Sequence, residues 1–276
     1  MQPFLNDHRI DATPVLPGVM GIEAFAEAAL CLHPGWHIET IEEVDFLAPF
    51  KFYKDEPRIV FLQANIYPLA GKLIADCRLT GRRKLVGQTE LQETTHFTAR
   101  VRLAKQTPDV ATGPKPRLSA EAIVEAAQIY RIYFHGPAYQ VVEKAWWDGE
   151  HMVGQLMSNL PEECKPSDPP TLIRPRLIEL CFQTAGLWEM ATYDRMGLPR
   201  QVHSVSWLRP PDLEGTAFYA LVTPHPDLGT FDAEVVDGEG NCYLRLDGYS
   251  TAEVPSDVDS APLKALHDAL LSQIVS

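Results

Sequence analysis

The sequence predicts an α+β protein made of two similar halves, each a long helix followed by a run of antiparallel strands. Three observations carry this reading. Apolar residues recur at helical spacing in two well-separated stretches, about residues 19–30 and 175–196. Strand-length runs with partial or clean alternation follow each stretch, separated by turn residues and not by further helices; this departs from the strand–helix alternation of a Rossmann sheet. Both helices are also led in by a proline, in Leu16-Pro17-Gly18-Val19-Met20-Gly21-Ile22 and Arg174-Pro175-Arg176-Leu177-Ile178-Glu179-Leu180. Laid side by side these place Gly21 on Glu179 and hint at an internal duplication.

The 276 residues suffice for one large domain or two fused smaller ones, and 45% hydrophobic with 22% charged residues is an ordinary globular balance. A net charge of −13 argues against a nucleic-acid partner or an anionic membrane surface. Met1 to Arg9 lacks the basic and apolar regions of a secretory signal. The longest apolar window, Val15 to Leu32, contains Glu23 and Glu27, so no transmembrane helix is expected. Cys31, Cys77, Cys164, Cys181 and Cys242 are odd in number and form no metal-ligand spacing, which reads as reduced thiols in the cytoplasm.

The first half opens with His8 on an extended segment, followed by the Pro-Gly step and a helix from Val19 to Leu30 that His33-Pro34-Gly35 stops. Strands are expected at Ile38–Leu47, Arg58–Tyr67, Lys72–Leu79 and Thr94–Leu103, with turns at Pro68–Gly71 and Thr80–Arg83. The basic run Arg82-Arg83-Lys84 is read either as a solvated turn or as a docking point for an acidic partner. Residues 1–105 form this half, and the proline-rich stretch 106–117 reads as a linker.

Residues 118–255 form the second half. A helix is expected over Ser119–Tyr133 with Ser119 as its cap, then the loop Phe134-His135-Gly136-Pro137-Ala138-Tyr139-Gln140, strands at Val141–Trp147 and Met152–Met157, and a polar loop over Pro161–Pro170. The second long helix runs from Pro175 to Met196 with Gly197 as its stop. Strands follow at Val202–Leu208, Ala217–Val222, Phe231–Val236 and Tyr243–Ser250. Residues 256–276 read as a tail or linker with weak helical character.

Two residues carry candidate chemistry. A histidine beside a helix N-terminus can remove a proton while the free N–H groups hold the resulting oxyanion, although a structural role is the plain alternative for His8. Glu179 sits among Leu177, Ile178, Leu180, Cys181 and Phe182, with Gln183 one turn on and able to fix its rotamer. In that company its pKa should rise, which suits a general acid; a solvent-facing Glu on an amphipathic helix is the alternative. The sequence has no GxSxG, Walker, GxGxxG or HExxH motif, so triad hydrolases, nucleotide enzymes and zincins lack support.

Taken together the motifs resemble a family. His8 with Pro17-Gly18 is similar to the HxxxGxxxxP motif of the dehydratase domains of polyketide synthases and polyunsaturated fatty acid synthases. Phe134 to Gln140 resembles their (Y/H)GPxFQ motif, and Glu179 to Gln183 their DxxxQ motif. The resemblance implies a double hot-dog fold, two central helices each wrapped by an antiparallel sheet, with His8 and Glu179 facing one tunnel. It implies loss of water from a 3-hydroxyacyl thioester to give a 2-enoyl thioester during polyketide or fatty-acid chain building. His8 would be the base and Glu179 the acid, Gln183 would orient the acid, and Gly18 or Val19 would supply the amide for the thioester oxygen. Pro17, His135, Gly136, Pro137 and Tyr139 would shape the tunnel. No metal or redox cofactor is implied, since the substrate rides on the phosphopantetheine of an acyl carrier protein. The implied partners are that carrier, other domains of a multidomain synthase and a second copy in a homodimer.

The chain departs from the family pattern in three ways. Ala12 replaces the motif glycine, Glu179 replaces the aspartate, and the chain begins close to the histidine without the leading strands such domains often carry. An enoyl isomerase or a product-template-like cyclase on the same scaffold, or a non-catalytic acyl-binding module, are the competing readings.

Overall fold

The computed structural model describes residues 3–31, 33–84, 90–107, 111–118, 122–158, 171–208, 215–253 and 261–274. A two-residue-per-strand ribbon, β1 (Arg9–Ile10) and β2 (Thr13–Pro14), leads into α1 (Gly18–Leu30). The helix buries Val19, Ile22, Phe25, Ala26 and Ala29, the face its sequence spacing marks as apolar. Around it lie β3 (His37–Phe46), β4 (Val60–Leu69), β5 (Lys72–Lys84) and β6 (Leu91–Ala104). The second half begins with β7 (Ala111–Thr112), β8 (Ile123–Glu125), the one-turn helix α2 (Ala126–Ile129), β9 (Val142–Trp147) and β10 (Met152–Leu156). Then come α3 (Pro175–Tyr193), β11 (Gly197–Trp207), β12 (Phe218–His225), β13 (Thr230–Asp237), β14 (Asn241–Glu253) and α4 (Lys264–Ile274). α3 is buried on almost every side from Leu177 to Ala191, as a helix wrapped by a sheet must be.

One antiparallel sheet runs through both halves in the order β4-β5-β6-β3-β11-β14-β13-β12-β10-β9-β8, with β7 on β14. Read outward from the central β3–β11 pair, β3-β6-β5-β4 on one side matches β11-β14-β13-β12 on the other. The duplication is therefore topological. At the seam Val44 lies opposite Val202. The offset that lays Pro17 on Pro175 also lays Val44 on Val202, so equivalent residues meet each other, as a pseudo-twofold axis through the seam requires. This is the double hot-dog architecture.

Several elements differ from the sequence reading. Thr80 to Lys84 continue β5 and pair with residues 91–95 of β6, so Arg82 is a strand residue held by Glu93 at 2.7 Å and stacked over Phe61. The stretch expected as a helix to Tyr133 holds β8 and only one helical turn, because Ile123 and Val124 pair with Trp146 and Ala145. Ser119, the expected cap, and the Pro161–Pro170 loop lie outside the described residues. α3 stops at Asp194, in the left-handed conformation with φ 53°, and Gly197 opens β11. Part of the stretch read as a linker, Ala111–Thr112, is built into the sheet against Asn241 and Cys242. The C-terminal stretch also packs on the second half: Leu263 and Leu266 are fully buried, and His267 Nδ1 lies 2.7 Å from the Ala191 carbonyl. Residues 256–260 are outside the described set. Among the described residues no helix is long and apolar enough to cross a membrane, and Cys31, Cys77, Cys181 and Cys242 form no disulfide with one another.

Candidate active site

The segment carrying His8 bridges the two halves. His8 pairs with His135 across an isolated antiparallel bridge, and the Gly136 N–H donates to the Asp7 carbonyl at 2.8 Å. The Asp7 carboxylate accepts the Ala138 N–H at 2.8 Å. A side chain at Gly136 would strike Asp7, its Cβ falling 2.5 Å from Oδ1, so glycine is what lets the two segments approach. Asp7 is a positioning residue that the sequence reading passed over; its place directly before the motif histidine was the available signal.

His8 Nδ1 lies 2.8 Å from the Val15 carbonyl, which can only accept, so Nδ1 carries the proton and Nε2 keeps its lone pair. Burial lowers the His8 pKa to about 4, against the opposing hydrogen bond to Val15, and the ring is neutral near pH 7. Glu179, on α3, is buried, and desolvation raises its pKa to about 7 although Gln183 acts the other way. His135 Nε2 is 3.4 Å from Glu179 Oε1, but burial holds the His135 pKa well below its usual value, so the histidine is neutral and the contact is not an ion pair.

The Gln183 amide has one orientation. Its nitrogen donates to the Tyr139 carbonyl at 2.8 Å, which can only accept, and to Glu179 Oε1 at 2.8 Å. Its oxygen accepts the Tyr130 hydroxyl at 2.9 Å, and Tyr130 in turn accepts the Val142 N–H at 2.7 Å. Glu179 Oε1 is thereby committed as an acceptor, which leaves the acid proton to Oε2. Tyr130 was not legible as a site residue, because its partner Val142 belongs to another element and no spacing links them.

His8, Gly18, His135, Glu179 and Gln183 all line one cavity of about 250 Å³. Its remaining wall is mainly apolar, including Phe46, Phe97 and Phe182. Gly18 begins α1, where helix N–H groups lack intrahelical partners, and it is the residue there that reaches the cavity. Of the other residues expected at the tunnel, Val19 points into the core and Pro17, Gly136, Pro137 and Tyr139 lie outside the cavity lining. Pro17 is the extended N-cap of α1, Gly136 and Pro137 belong to the loop that Asp7 pins, and Tyr139 backs the His8 ring at 5.4 Å.

Gly21 and Glu179 occupy equivalent helix positions, and the reason for the glycine is steric. A Cβ there would lie 2.4 Å from the Phe97 ring, which fills on the first helix the place the carboxyl takes on the second. Gly18 likewise makes room for Phe46, 2.7 Å from a Cβ at that position. One half-site is filled by aromatic rings, and the other carries the Glu179 carboxyl.

Two family models cover most of the sequence: one described as polyketide synthase dehydratase domain matches residues 1–68, and one described as polyketide synthase dehydratase N-terminal domain matches residues 88–261. The chain belongs to the polyketide synthase dehydratase family. It is 23% identical over 273 residues to the polyketide synthase ThaG of Burkholderia thailandensis, aligning over 92% of this chain but only 4% of that protein. The dehydratase domain from the CurF module of curacin polyketide synthase is similar in structure, with a TM-score of 0.73 at 17% identity, covering 91% of this chain and 89% of that one. The CurK dehydratase was solved as inactive mutants with histidine changed to phenylalanine and aspartate to asparagine. At 18% identity both cover 92% of this chain, with TM-scores of 0.68 and 0.69 and with 89% and 90% of those chains covered.

Proposed function

We propose that this dehydratase-family chain removes water from a 3-hydroxyacyl thioester through His8 and Glu179, within polyketide chain building. The observation that carries the assignment of residues is that a histidine whose Nδ1 is bound to the Val15 carbonyl and a buried carboxyl with its pKa raised by desolvation line the same cavity. His8 Nε2 takes the proton from C2, and the electron pair left there forms the C2–C3 double bond. Glu179 Oε2 gives its proton to the departing 3-hydroxyl, which leaves as water. The Gly18 N–H hydrogen-bonds the thioester oxygen as negative charge builds on it, a contribution on the order of 3 kcal/mol for a well-placed donor. The returning step passes the proton from His8 to solvent and restores Glu179. The inactive histidine and aspartate mutants of the CurK dehydratase support a base–acid pair of this kind.

The substrate is proposed to arrive on the phosphopantetheine of an acyl carrier protein, with the other synthase domains as neighbours, a second copy of the chain as dimer partner and the cytoplasm as the compartment. The charge patch first considered for the carrier is smaller than the sequence implies. Of the basic run Arg82–Lys84 and the further arginines Arg174 and Arg176, Arg82 is paired with Glu93 and the half-buried Arg176 contacts the Met157 carbonyl at 3.4 Å, which leaves Arg83 and Lys84 exposed and Arg174 half-buried. Incubation with a 3-hydroxyacyl pantetheine thioester tests the reaction by mass: loss of one water by the wild type and none by His8→Ala or Glu179→Gln is expected. An isobaric double-bond shift, or binding without change, would refute the dehydratase reading.

A further inference from the structure

Tyr249, on β14, lines the cavity and is only 2% exposed. Its ring stacks on Phe182 with centroids 4.3 Å apart and planes 12° from parallel, and packs against Phe231 at 6.1 Å. Its hydroxyl has no hydrogen-bond partner among the described residues. Tyr133, the other phenol in the cavity wall, does have one: it donates to the Gln183 carbonyl at 2.7 Å. A phenylalanine would make the same ring contacts, so packing alone does not call for the hydroxyl. Burial raises the Tyr249 pKa well above its usual value, so the hydroxyl keeps its proton and stays a donor.

The placement of the reacting groups says what that hydroxyl meets. The C2 proton leaves at His8, whose ring contacts are Phe134, His135 and Tyr139. The C3 hydroxyl leaves at Glu179. Phe182 is three residues past Glu179 in α3, so it and the Tyr249 ring on it lie roughly one turn, about 4.5 Å, further along the helix. With the thioester oxygen on the Gly18 N–H and C3 at Glu179, acyl carbons beyond C3 that follow α3 meet Phe182 and the Tyr249 ring stacked on it. The wall there includes Met196, Leu198 and Ala252, with Tyr249 as its hydroxyl donor.

Resting on the dehydratase reading, we propose that Tyr249 is a specificity residue whose hydroxyl donates a hydrogen bond to an oxygen substituent at C5 of the acyl chain. Two-carbon extension leaves the oxygen of the preceding cycle at that carbon. The site would therefore favour an oxygenated polyketide intermediate over a chain fully reduced beyond C3.

The test compares kcat/KM for two pantetheine thioesters of equal length, one 3-hydroxyacyl and one 3,5-dihydroxyacyl, with the wild-type chain and with Tyr249→Phe. The wild type should favour the dihydroxy substrate by roughly tenfold, the effect of one hydrogen bond in a shielded site. Tyr249→Phe should lose that preference, its kcat/KM falling more on the 3,5-dihydroxyacyl than on the 3-hydroxyacyl substrate, and should unfold at the same temperature, because the stack on Phe182 survives. A wild type that does not discriminate, or a variant slowed equally on both substrates, would overturn the assignment to Tyr249 alone. No water released from either substrate by the wild type would overturn the dehydratase reading, and this inference with it.

Discussion

His8 and Glu179 are both displaced by burial, in opposite directions, and this fixes how activity and stability vary with pH. In the proposed mechanism turnover needs His8 unprotonated and Glu179 protonated, so the rate should fall below about pH 4 and above about pH 7. For stability, Glu179 has an ordinary pKa of 4.5 raised to about 7 in the fold. Between those values the folded chain holds a proton the unfolded chain has released, so stability drops as pH rises through this window, by about 3 kcal/mol in all. Glu179→Gln removes that penalty, and its melting temperature should exceed the wild type's at pH 8 and match it near pH 4, while dehydration is lost. His8 gives the mirror image: its contribution drops as pH falls from 6.5 toward 4, because the unfolded chain takes up the proton first. Tyr130→Phe acts one step back. It leaves Gln183 Oε1 without its donor and the Val142 N–H without its acceptor, so the chain should lose about 1–3 kcal/mol of stability. Gln183 holds the Glu179 pKa down, so a looser Gln183 should move the alkaline limb of the rate profile upward. An unmoved limb would show that Tyr130 has a purely structural role.

The β1–β2 ribbon shows what an element asks of its sequence. Ile10 pairs with Thr13, so Asp11 and Ala12 are the two turn residues, and both have positive φ, 49° and 61°. A tight hairpin turn of this kind suits glycine and asparagine, and an alanine in the left-handed region costs about 1–2 kcal/mol. Arg9 holds the turn closed by donating to the Ala12 carbonyl at 2.8 Å and pairing with Asp55 at 3.1 Å. Ala12→Gly should therefore raise stability by up to about 1 kcal/mol in a denaturant titration with dehydration unchanged. A destabilised variant would mean that the ribbon tolerates alanine without strain. That Ala12 departs from the family glycine was legible in the sequence, as were the two long helices, whose apolar spacing is unbroken. Elements decided by distant pairing were not. The stretch ending at Tyr133 has helical-looking spacing, yet strand pairing with Ala145 and Trp146 claims Ile123 and Val124. At Thr80–Arg83, Gly81 suggested a turn, but the glycine serves the close approach of Phe50, 2.7 Å from a Cβ there. Glu179 and its glutamine were legible from their spacing on one helix face, and Asp7 from its place before His8, whereas Tyr130 and Tyr249 meet the site only through the fold.

At the scale of the whole molecule the two halves are joined by backbone pairing at β3–β11, by the His8 segment and by the buried side chain of Glu23. Glu23 lies on α1 and is only 2% exposed, with its pKa raised by burial. Its two oxygens accept the Leu172 and Ile173 N–H groups at 2.5 and 2.9 Å, in the segment that leads into α3. The Ile173 carbonyl is held in turn by Trp207 Nε1 at 2.9 Å from β11. The helix of the first half thus fixes where the helix of the second half begins, and Glu179 sits about one turn into that helix. Glu23→Ala would leave the buried Ile173 N–H without its acceptor, which should lower stability by about 1–3 kcal/mol. It should also lower kcat, since a catalytic acid displaced by a fraction of an ångström loses its alignment with the leaving hydroxyl. Glu23→Gln keeps one acceptor oxygen and should recover part of both losses. Because the sheet is continuous across the seam, unfolding of either variant should remain one transition whether followed by tryptophan fluorescence or by far-ultraviolet circular dichroism. Reduced kcat with an unchanged unfolding temperature would place the effect of Glu23 at the cavity itself, and the coupling through Leu172 and Ile173 would be wrong.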